Sequence, residues 1–583
     1  MTPYPGPDGF RVPEGSIVSV FAGHRHQHPG AVACHDVRAD GDTLTAVPLT
    51  YAELDHAAAR ARARLIHLGL SPGDRVALAV ENPHALLAWF LATMVCQVLA
   101  VPLPAAHHAG GPVPARNRGV CDHCRPTVIV TDDPDGWRAA LGTGLAPHLI
   151  SADLATGPYS AAQLSLPTGD IAPDAPAYLQ YTSGSTRSPS GVVITHRNLM
   201  ANLEAIHQAL AFTEADKILS WLPLYHDMGL VGGLLAPLYS RIGGYCLSPT
   251  TFLRRPVTWL RGIQQFRATT SVAPPSAYSL CLRHLTDTMI ADLDLSSWRR
   301  ALLGAEPIDP DLPARFHDRF RRYGLAITAL MPVYGLAEVT LAAAFPPLGQ
   351  HPRSDTVDRH TLATGRAMPS SNAAHRSTTF LSVGIALPGH HIRILDPRTH
   401  HECPERHIGE ITVTGPSVSP NDYGEDPIAA RTLHTGDLGY LADGQLYIVD
   451  RIKDLIIIAG RNYYPADIEA ALADFPDIKG GRVAALAVPT SYGTEGLGLI
   501  IEVSHATCQA GDAVKSRINR VVQQQFGITP TLIYLGTRNT IPRTTSGKIQ
   551  RSACRALLAG TSQDLSPAGG AQAVAVEHLP ELP

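Results

Sequence analysis

ALLAWFLATMVCQVLAVPLPAA, Ala85 to Ala106, contains no formal charge. A membrane span needs about 20 apolar residues, so length alone would permit one. Pro102 and Pro104 interrupt its last quarter, however, and Gln97 sits inside it. The stretch therefore reads as a buried helix, Ala85 to Cys96, followed by a short buried strand, Val98 to Leu103. A strand covered on both faces is a continuous apolar run, which fits the second half. This reading puts the stretch in the interior of an α/β protein with no integral membrane association.

The flanking sequence has the same character. Leu49 to Leu68 is amphipathic and Ala-rich, and RVALAV (Arg75 to Val80) and PTVIVT (Pro126 to Thr131) read as strands. Helices alternating with short apolar strands predict an α/β arrangement with parallel strands. Gly157 to Pro176 is a connector rich in Pro, Ala, Ser and Gly. Pro346 to Ser377 is polar and too long for an ordinary loop, so it is expected to be an inserted module or a mobile segment. From Val383 to Val449 the pattern turns strand-rich, with turn signals at Pro388-Gly389, Asp396-Pro397 and Asp443-Gly444. Beyond Asp450 a smaller α+β pattern follows. It has strands at Asp454 to Ile458, Arg482 to Val488 and Leu497 to Val503, and helices at Pro465 to Leu472 and Asp512 to Phe526. The expected organisation is a large N-terminal domain over 1–450, a small C-terminal domain over 451–560 and a disordered tail over 561–583.

Composition narrows the function. Lys+Arg total 47 against 51 Asp+Glu, a net charge of −4. That balance argues against a nucleic-acid partner, which would call for a basic excess or stripe. A hydrophobic content of 45% excludes a disordered chain. Nine cysteines in 583 residues are too few for a disulfide scaffold. The Pro/Gly-rich polar start, Met1 to Gly15, does not resemble a signal peptide. A cytoplasmic enzyme, monomeric or weakly dimeric, is the expectation. Only five of the 47 basic residues are lysine: Lys217, Lys453, Lys479, Lys515 and Lys548.

The strongest chemical motif is YTSGSTRSPSG, Tyr181 to Gly191. Glycines permit close backbone approach, and successive N–H groups with Ser/Thr hydroxyls can cradle phosphate. It is not a Walker loop, because the GK[ST] ending is absent. Further motifs follow in order: WLPLYHDMG (Trp221 to Gly229), YGLAE (Tyr334 to Glu338), HTGDLG (His434 to Gly439), DRIKD (Asp450 to Asp454) and PRTTSGKI (Pro542 to Ile549). Cys121-Asp122-His123-Cys124 gives one CxxC, and one pair alone is weak evidence for zinc or redox chemistry.

This ordered set resembles the AMP-forming adenylate-forming (ANL) superfamily from about Ser16 to Leu558. Within it, LQYTSGSTRSPSGVVITH, SWLPLYHDMGL and DRIKDLIIIAGRNYYP look most like the fatty acyl-AMP ligases of the actinobacterial and mycobacterial type. Most acyl-CoA synthetases carry a lysine just before the Gly that closes the phosphate loop. Here Ser190 stands there, with Arg187 nearby, as in the ligase branch. The Pro346 to Ser377 stretch lies where the ligases carry an insertion.

The resemblance implies a large adenylation domain with a small mobile C-terminal domain. It implies ATP-dependent activation of a fatty acid, with magnesium, and transfer to the phosphopantetheine thiol of an acyl carrier protein or polyketide synthase. The implied phosphate residues are Thr182, Ser183, Gly184, Ser185 and Thr186. Gly304, Ala305, Glu306, Tyr334, Gly335, Leu336 and Ala337 would lie along the nucleotide. Asp437 would accept from the ribose hydroxyls with two free oxygens, and Arg451 would contact ribose or phosphate. Glu338, with Thr186, would hold magnesium. His226 would border the acyl pocket. Lys548 would bridge carboxylate and α-phosphate, and Lys453 would be the hinge about which the small domain rotates. Pro275-Ser276 departs from a common Asn-Phe in the acyl-pocket stretch Ala273 to Tyr278, and Leu303 stands where Asn is common, which leaves the acyl chain open. The alternatives are an acyl-CoA synthetase using free CoA and a catalytically inactive adenylation fold.

Overall fold

The 22-residue apolar stretch becomes the helix Pro83–Val95 and the strand Leu99–Pro102 in this computed structural model. Asn82 caps the helix by accepting from Ala85 N at 2.9 Å, and Pro83 occupies the first turn, where its missing N–H costs nothing. Gln97 is the residue that ends the helix. It adopts φ +54°, and Val98 N bonds back to Thr93 O at 3.1 Å, closing the C-terminal turn. The helix is buried on every side because one core holds it with residues of two sheets, Val76 and Val128 from one and Ala33 and Cys246 from the other. No helix among the described residues is long and apolar enough to cross a membrane.

The structure describes residues 9–41, 43–105, 113–141, 147–154, 165–167, 171–182, 189–370, 377–428, 431–473, 475, 478–490, 495–509, 511–543 and 548–563. The chain divides into two compact units, Met1–Lys453 and Asp454–Pro583.

The first unit carries two mostly parallel sheets. One runs in the order His148–Ser151, Val128–Thr131, Arg75–Ala79, Leu99–Pro102, Pro176–Tyr181, Gly191–Thr195, with only the last pair antiparallel. The other runs Leu330–Pro332, Arg300–Leu303, Thr270–Ala273, Lys217–Ser220, Gly243–Leu247, Val32–Asp40, Thr43–Thr50, again with one antiparallel edge. A four-stranded antiparallel sheet, His391–Leu395, Gly409–Thr414, Leu433–Ala442 and Gln445–Arg451, follows.

The described part of Pro346 to Ser377, residues 346–370 and 377, forms regular structure, and 371–376 lie outside the described residues. Ser354–Asp358 pairs with Ser377–Leu381, and the short helix Arg359–Leu362 lies between them. Asp355 fastens this module to the unit, accepting from Arg406 Nη1 and Tyr440 Oη, each at 2.8 Å.

In the second unit, Ile478–Pro489, Glu495–Val503 and Leu532–Gly536 form a sheet, and Ile456–Ile458 pairs with Arg461–Tyr463. Elements beyond the sequence expectation include the strands Arg461–Tyr463 and Leu532–Gly536, the helix His505–Gln509, and the helix Arg551–Gln563, which crosses the expected boundary at residue 560. That helix buries Cys554 and Leu558 in a core with Leu486 and Ile500, so the end of the small domain is held by packing. The remainder of the expected tail, 564–583, lies outside the described residues.

Candidate active site

The phosphate-loop motif joins two antiparallel strands, Pro176–Tyr181 and Gly191–Thr195. Both ends are fixed. Gly191 is required, because a Cβ there would meet the Tyr181 ring at 2.9 Å. Tyr181 Oη lies 2.7 Å from His123 Nδ1. Thr182 N bonds Ser190 O at 3.4 Å, and Ser190 Oγ donates to Asp422 Oδ2 at 2.9 Å. Ser190 is thus spent on anchoring the segment Asn421–Tyr423, whose Tyr423 N donates to Gly191 O at 2.7 Å. Arg116 is a residue that motif reading misses: its Nη2 donates to Tyr181 O at 3.1 Å and Thr182 O at 2.7 Å. Ser183, Gly184, Ser185 and Thr186, together with Arg187, lie outside the described residues.

YGLAE is a tightly wound turn. A Cβ on Gly335 would collide with Leu341 O, and Leu336 N takes that same oxygen at 2.8 Å. Leu336 and Ala337 continue the turn into the short helix Ala337–Val339, which carries Glu338. Thr340 follows with φ +69° and ψ −53°, and Leu341 N bonds Val339 O at 2.8 Å across it. This is a γ-turn of the rare positive-φ kind, costing of order 1–3 kcal/mol at a β-branched residue. Its neighbours impose it: Thr340 Oγ1 donates to Ser417 O at 2.9 Å, and Ser419 N donates to Glu338 O at 2.8 Å. Asn202 holds Ala342 at both backbone groups and donates to Ser417 Oγ at 3.1 Å, while fully buried His390 bonds the same hydroxyl.

The strained turn presents a carboxylate. Burial pushes the Glu338 carboxyl above its ordinary range; its own backbone N–H opposes this, Asp227 and Asp422 add to it, and Arg451 opposes it. No group of three or more His, Cys, Asp and Glu among the described residues is arranged to hold a metal alone. A single half-buried oxygen donor in an acidic setting fits magnesium, which keeps several waters and takes substrate phosphates as further ligands.

Asp437 lies where Leu433–Ala442 and Gln445–Arg451 pair, opposite Arg451. Tyr334 Oη donates to its Oδ2 at 2.7 Å, and Arg451 Nε donates to its Oδ1 at 2.8 Å. The expectation of two free oxygens therefore needs correcting: each already accepts one bond, and each keeps a second lone pair. Tyr334 thereby acts as the hydrogen-bonding partner of Asp437. Its phenol is driven well above its ordinary range, first by burial and then by the Asp437 charge, so it stays a donor.

His226 ends the turn after Lys217–Ser220 and accepts Leu230 N at 2.8 Å on its carbonyl. It leads into the π-helix Met228–Leu235, a form found mostly at functional sites. Gly229 permits this, since a Cβ would strike Pro223 O. Gly304 packs against Val333, where a Cβ would lie 2.8 Å from Cγ2, and Ala305 adopts φ +69°. Glu306 caps the helix Pro275–His284, taking Ser276 N at 3.0 Å and Ser276 Oγ at 3.1 Å. Tyr278 is a core residue, fully buried with Oη on Leu302 O at 3.1 Å. Cys121 and Cys124 are buried in an apolar core, where burial pushes their thiols up to about 12 and about 11. That suits neither metal binding nor thiolate chemistry.

Lys453 is the second residue of the short helix Ile452–Asp454 and the last residue of the first unit. Lys548 belongs to the second unit and is exposed, one residue before Ile549, which bridges to Arg543. Thr544 to Gly547 lie outside the described residues.

Residues 21–421 match the AMP-binding enzyme family. A 4-hydroxyphenylalkanoate adenylyltransferase of Mycobacterium marinum is 35% identical over 94% of this chain and 91% of its own. JamA of Moorena producens, a medium-chain-fatty-acid–[acyl-carrier-protein] ligase, is 39% identical over 66% of this chain and 68% of its own. A solved structure from a study of fatty acyl-adenylate ligases of E. coli and L. pneumophila superimposes with a TM-score of 0.82 at 35% identity, covering 95% of this chain and 100% of that one. With the phosphate-loop strands, the YGLAE turn and the Asp437 joint assembled in one unit, this chain belongs to the AMP-binding enzyme family and is an adenylating ligase.

Proposed function

We propose that the protein activates a fatty or similarly lipophilic carboxylic acid with ATP to give an acyl-adenylate and pyrophosphate. It then passes the acyl group to the phosphopantetheine thiol of an acyl carrier protein or polyketide synthase. The observation that carries this reading is Asp437 held by Tyr334 and Arg451, on the same chain segment order as the Glu338 turn. A carboxylate fixed at both oxygens, each with a lone pair to spare, suits the two ribose hydroxyls.

In the reaction a carboxylate oxygen bonds the α-phosphorus, and the bond from that phosphorus to the bridging oxygen of pyrophosphate breaks. Two anions must meet, so cations and fixed donors dominate the catalysis. Asp437 and Arg451 orient the ribose, and Glu338 holds magnesium, which neutralises phosphate charge when bound. The Thr182 to Thr186 loop takes the β- and γ-phosphates. His226 borders the acid, and Lys548 spans the carboxylate and α-phosphate as the small domain turns about Lys453. JamA's carrier-protein activity supports the second step.

A second acid class has a specific basis. Pro275-Ser276 stands where many fatty-acid ligases carry Asn-Phe, Ser276 Oγ donates to Glu306 at 3.1 Å, and one relative is a 4-hydroxyphenylalkanoate adenylyltransferase. A phenol-tipped alkanoate is therefore the second substrate to test.

Radiolabelled fatty acids of several lengths and 4-hydroxyphenylalkanoates, with ATP and with or without CoA, should yield adenylate and no CoA thioester. CoA-dependent thioester would favour the acyl-CoA synthetase reading, and no adenylate from any acid would favour an inactive fold. Lys548→Ala should abolish adenylate while leaving ATP binding intact, and Lys548→Arg should restore little. Unchanged synthesis in Lys548→Ala sinks the mechanism.

A further inference from the structure

Asp437 lies in a break of strand pairing. Gly409–Thr414 runs against Leu433–Ala442 with Glu410 opposite Leu438 and Thr412 opposite His434. One residue on the first strand, Ile411, therefore faces three on the second, Thr435 to Asp437. Such a bulge re-aims a side chain, but it takes backbone N–H groups out of the ladder, and these need other partners. Gly436 supplies the turn, with φ +70°.

Glu410 supplies the partners. Its Oε1 accepts from Gly436 N at 3.1 Å, and its Oε2 accepts from His434 Nδ1 at 2.7 Å. A carboxylate only accepts, so His434 Nδ1 carries the proton. Thr435 Oγ1 completes the joint, donating to Ile411 O at 2.7 Å and accepting from Asp437 N at 3.1 Å. Glu410 is only 8% exposed, and a buried carboxylate is costly unless its oxygens are bonded. Both of its side-chain hydrogen bonds among the described residues go to the bulge. An apolar side chain could fill the same place in the sheet, but it could not hold Gly436 and His434. Asp437 is thus fixed twice. Tyr334 and Arg451 hold its carboxylate, and the clamped bulge holds its backbone.

We propose that Glu410 is a positioning residue for ribose recognition. It clamps the bulge so that the second lone pairs of Asp437 meet both ribose hydroxyls, and it touches no nucleotide atom itself. This inference rests on the ribose assignment of Asp437 above.

The test uses the full-length protein, as wild type, Glu410→Ala and Glu410→Gln. Calorimetry compares AMP with dideoxy-AMP, which lacks both ribose hydroxyls. Hydrogen exchange over 434–438 and over 391–395, the other neighbour of the Glu410 strand, is followed without ligand. The ATP and acid KM values and the melting temperature are measured alongside. In Ala, AMP affinity should fall about tenfold and ATP KM rise by a similar factor, the range for a lost hydrogen bond to a charged group. Dideoxy-AMP affinity and acid KM should stay within about twofold of wild type. Exchange over 434–438 should accelerate at least about tenfold while 391–395 holds. Gln keeps an acceptor for Gly436 and can donate to His434 in its other tautomer, so it should lose no more than about threefold. Unchanged exchange over 434–438 in Ala overturns the proposal. So does an equal loss of AMP and dideoxy-AMP, or a loss of AMP that runs parallel with acid KM and melting temperature. If Ala does not fold, Glu410→Asp decides, since the shorter carboxylate cannot span both donors. A severalfold loss of AMP with dideoxy-AMP unchanged then supports the proposal, and unchanged AMP affinity overturns it. A wild type that binds AMP and dideoxy-AMP alike refutes the ribose assignment and the proposal with it. A wild type that distinguishes them yet adenylates no acid refutes the adenylation reading and leaves the Glu410 comparison standing.

Discussion

Tyr334→Phe removes one oxygen and tests whether Asp437 is a positioned carboxylate. The phenol donates to Asp437 Oδ2 at 2.7 Å, a length typical of a hydrogen bond to an ionised acceptor. Such bonds contribute about 1.5–3 kcal/mol. Asp437 is only 7% exposed, so water replaces the phenol poorly, whereas Arg451 Nε stays on Oδ1 at 2.8 Å and holds half of the geometry. The lower half of the range is therefore expected, about 1.5–2 kcal/mol, or roughly ten- to thirtyfold in kcat/KM for ATP. The acid KM should be unaffected. The decisive assay is acyl-AMP formation in a double-mutant cycle with Asp437→Asn. Against the neutral amide the same phenol makes only a neutral hydrogen bond, about half as strong, so Tyr334→Phe should then cost only about three- to fivefold. An equal factor in both backgrounds would show that the phenol acts independently of Asp437, and the ribose assignment would lose its structural basis.

Thr340→Ala keeps the positive-φ turn but loses the bond to Ser417 O, and should raise the magnesium concentration for half-maximal activity severalfold without changing the acid KM. An unchanged magnesium requirement would mean that the turn does not set Glu338. Part of the pH dependence of stability follows from His196 and His390, both lowered by burial to about 4. Each stays neutral in the fold while the unfolded chain takes up a proton below about pH 6.5, so stability is complete above that value and lost as pH falls toward 4. The loss is about 1.4 kcal/mol per pH unit for each histidine, and His390→Gln should flatten the slope of the urea midpoint between pH 6 and 4.5. An unaltered slope contradicts this. Asp355→Ala should loosen the inserted module, because Arg406 and buried Tyr440 lose their shared acceptor; hydrogen exchange over 354–358 should accelerate while exchange over 75–79 stays slow. Equal protection in both strands would refute that anchoring role.

Local features of the fold were legible where the physics is local. The helix Pro83–Val95 and the strand Leu99–Pro102 fall within about two residues of the expectation, because an unbroken apolar run, an Asn-Pro start and a polar turn residue are all written in adjacent positions. The motif residues Tyr334, Glu338 and Asp437 were legible as a set. Their joint was not, since the Tyr334–Asp437 bond spans 103 residues and depends on strand pairing. A threonine at positive φ has no sequence signature; it is imposed by Ser417, Asn202 and His390, which arrive from three distant segments. Arg116 was hidden among abundant arginines and acquires meaning only once its helix lies under Tyr181.

The scarcity of lysine has a physical counterpart in how the cations are used. Arg451 and Arg116 are both tied into the first unit at 2.7–3.1 Å, Arg451 by Nε to a carboxylate and Arg116 by Nη2 to two backbone carbonyls. A planar guanidinium suits such fixed joints, since its geometry is set before the ligand arrives. Lys548 is different in kind: it is exposed, belongs to the second unit and sits at the end of a Gly/Ser/Thr sequence. In the proposed reaction that position needs a compact ammonium that can be delivered and withdrawn, which a fork locked into several simultaneous bonds cannot do as readily. A flexible stem with a point charge, which one of the five lysines supplies at position 548, serves that chemistry better than a rigid fork, which is why restoring only the charge at position 548 should not restore turnover.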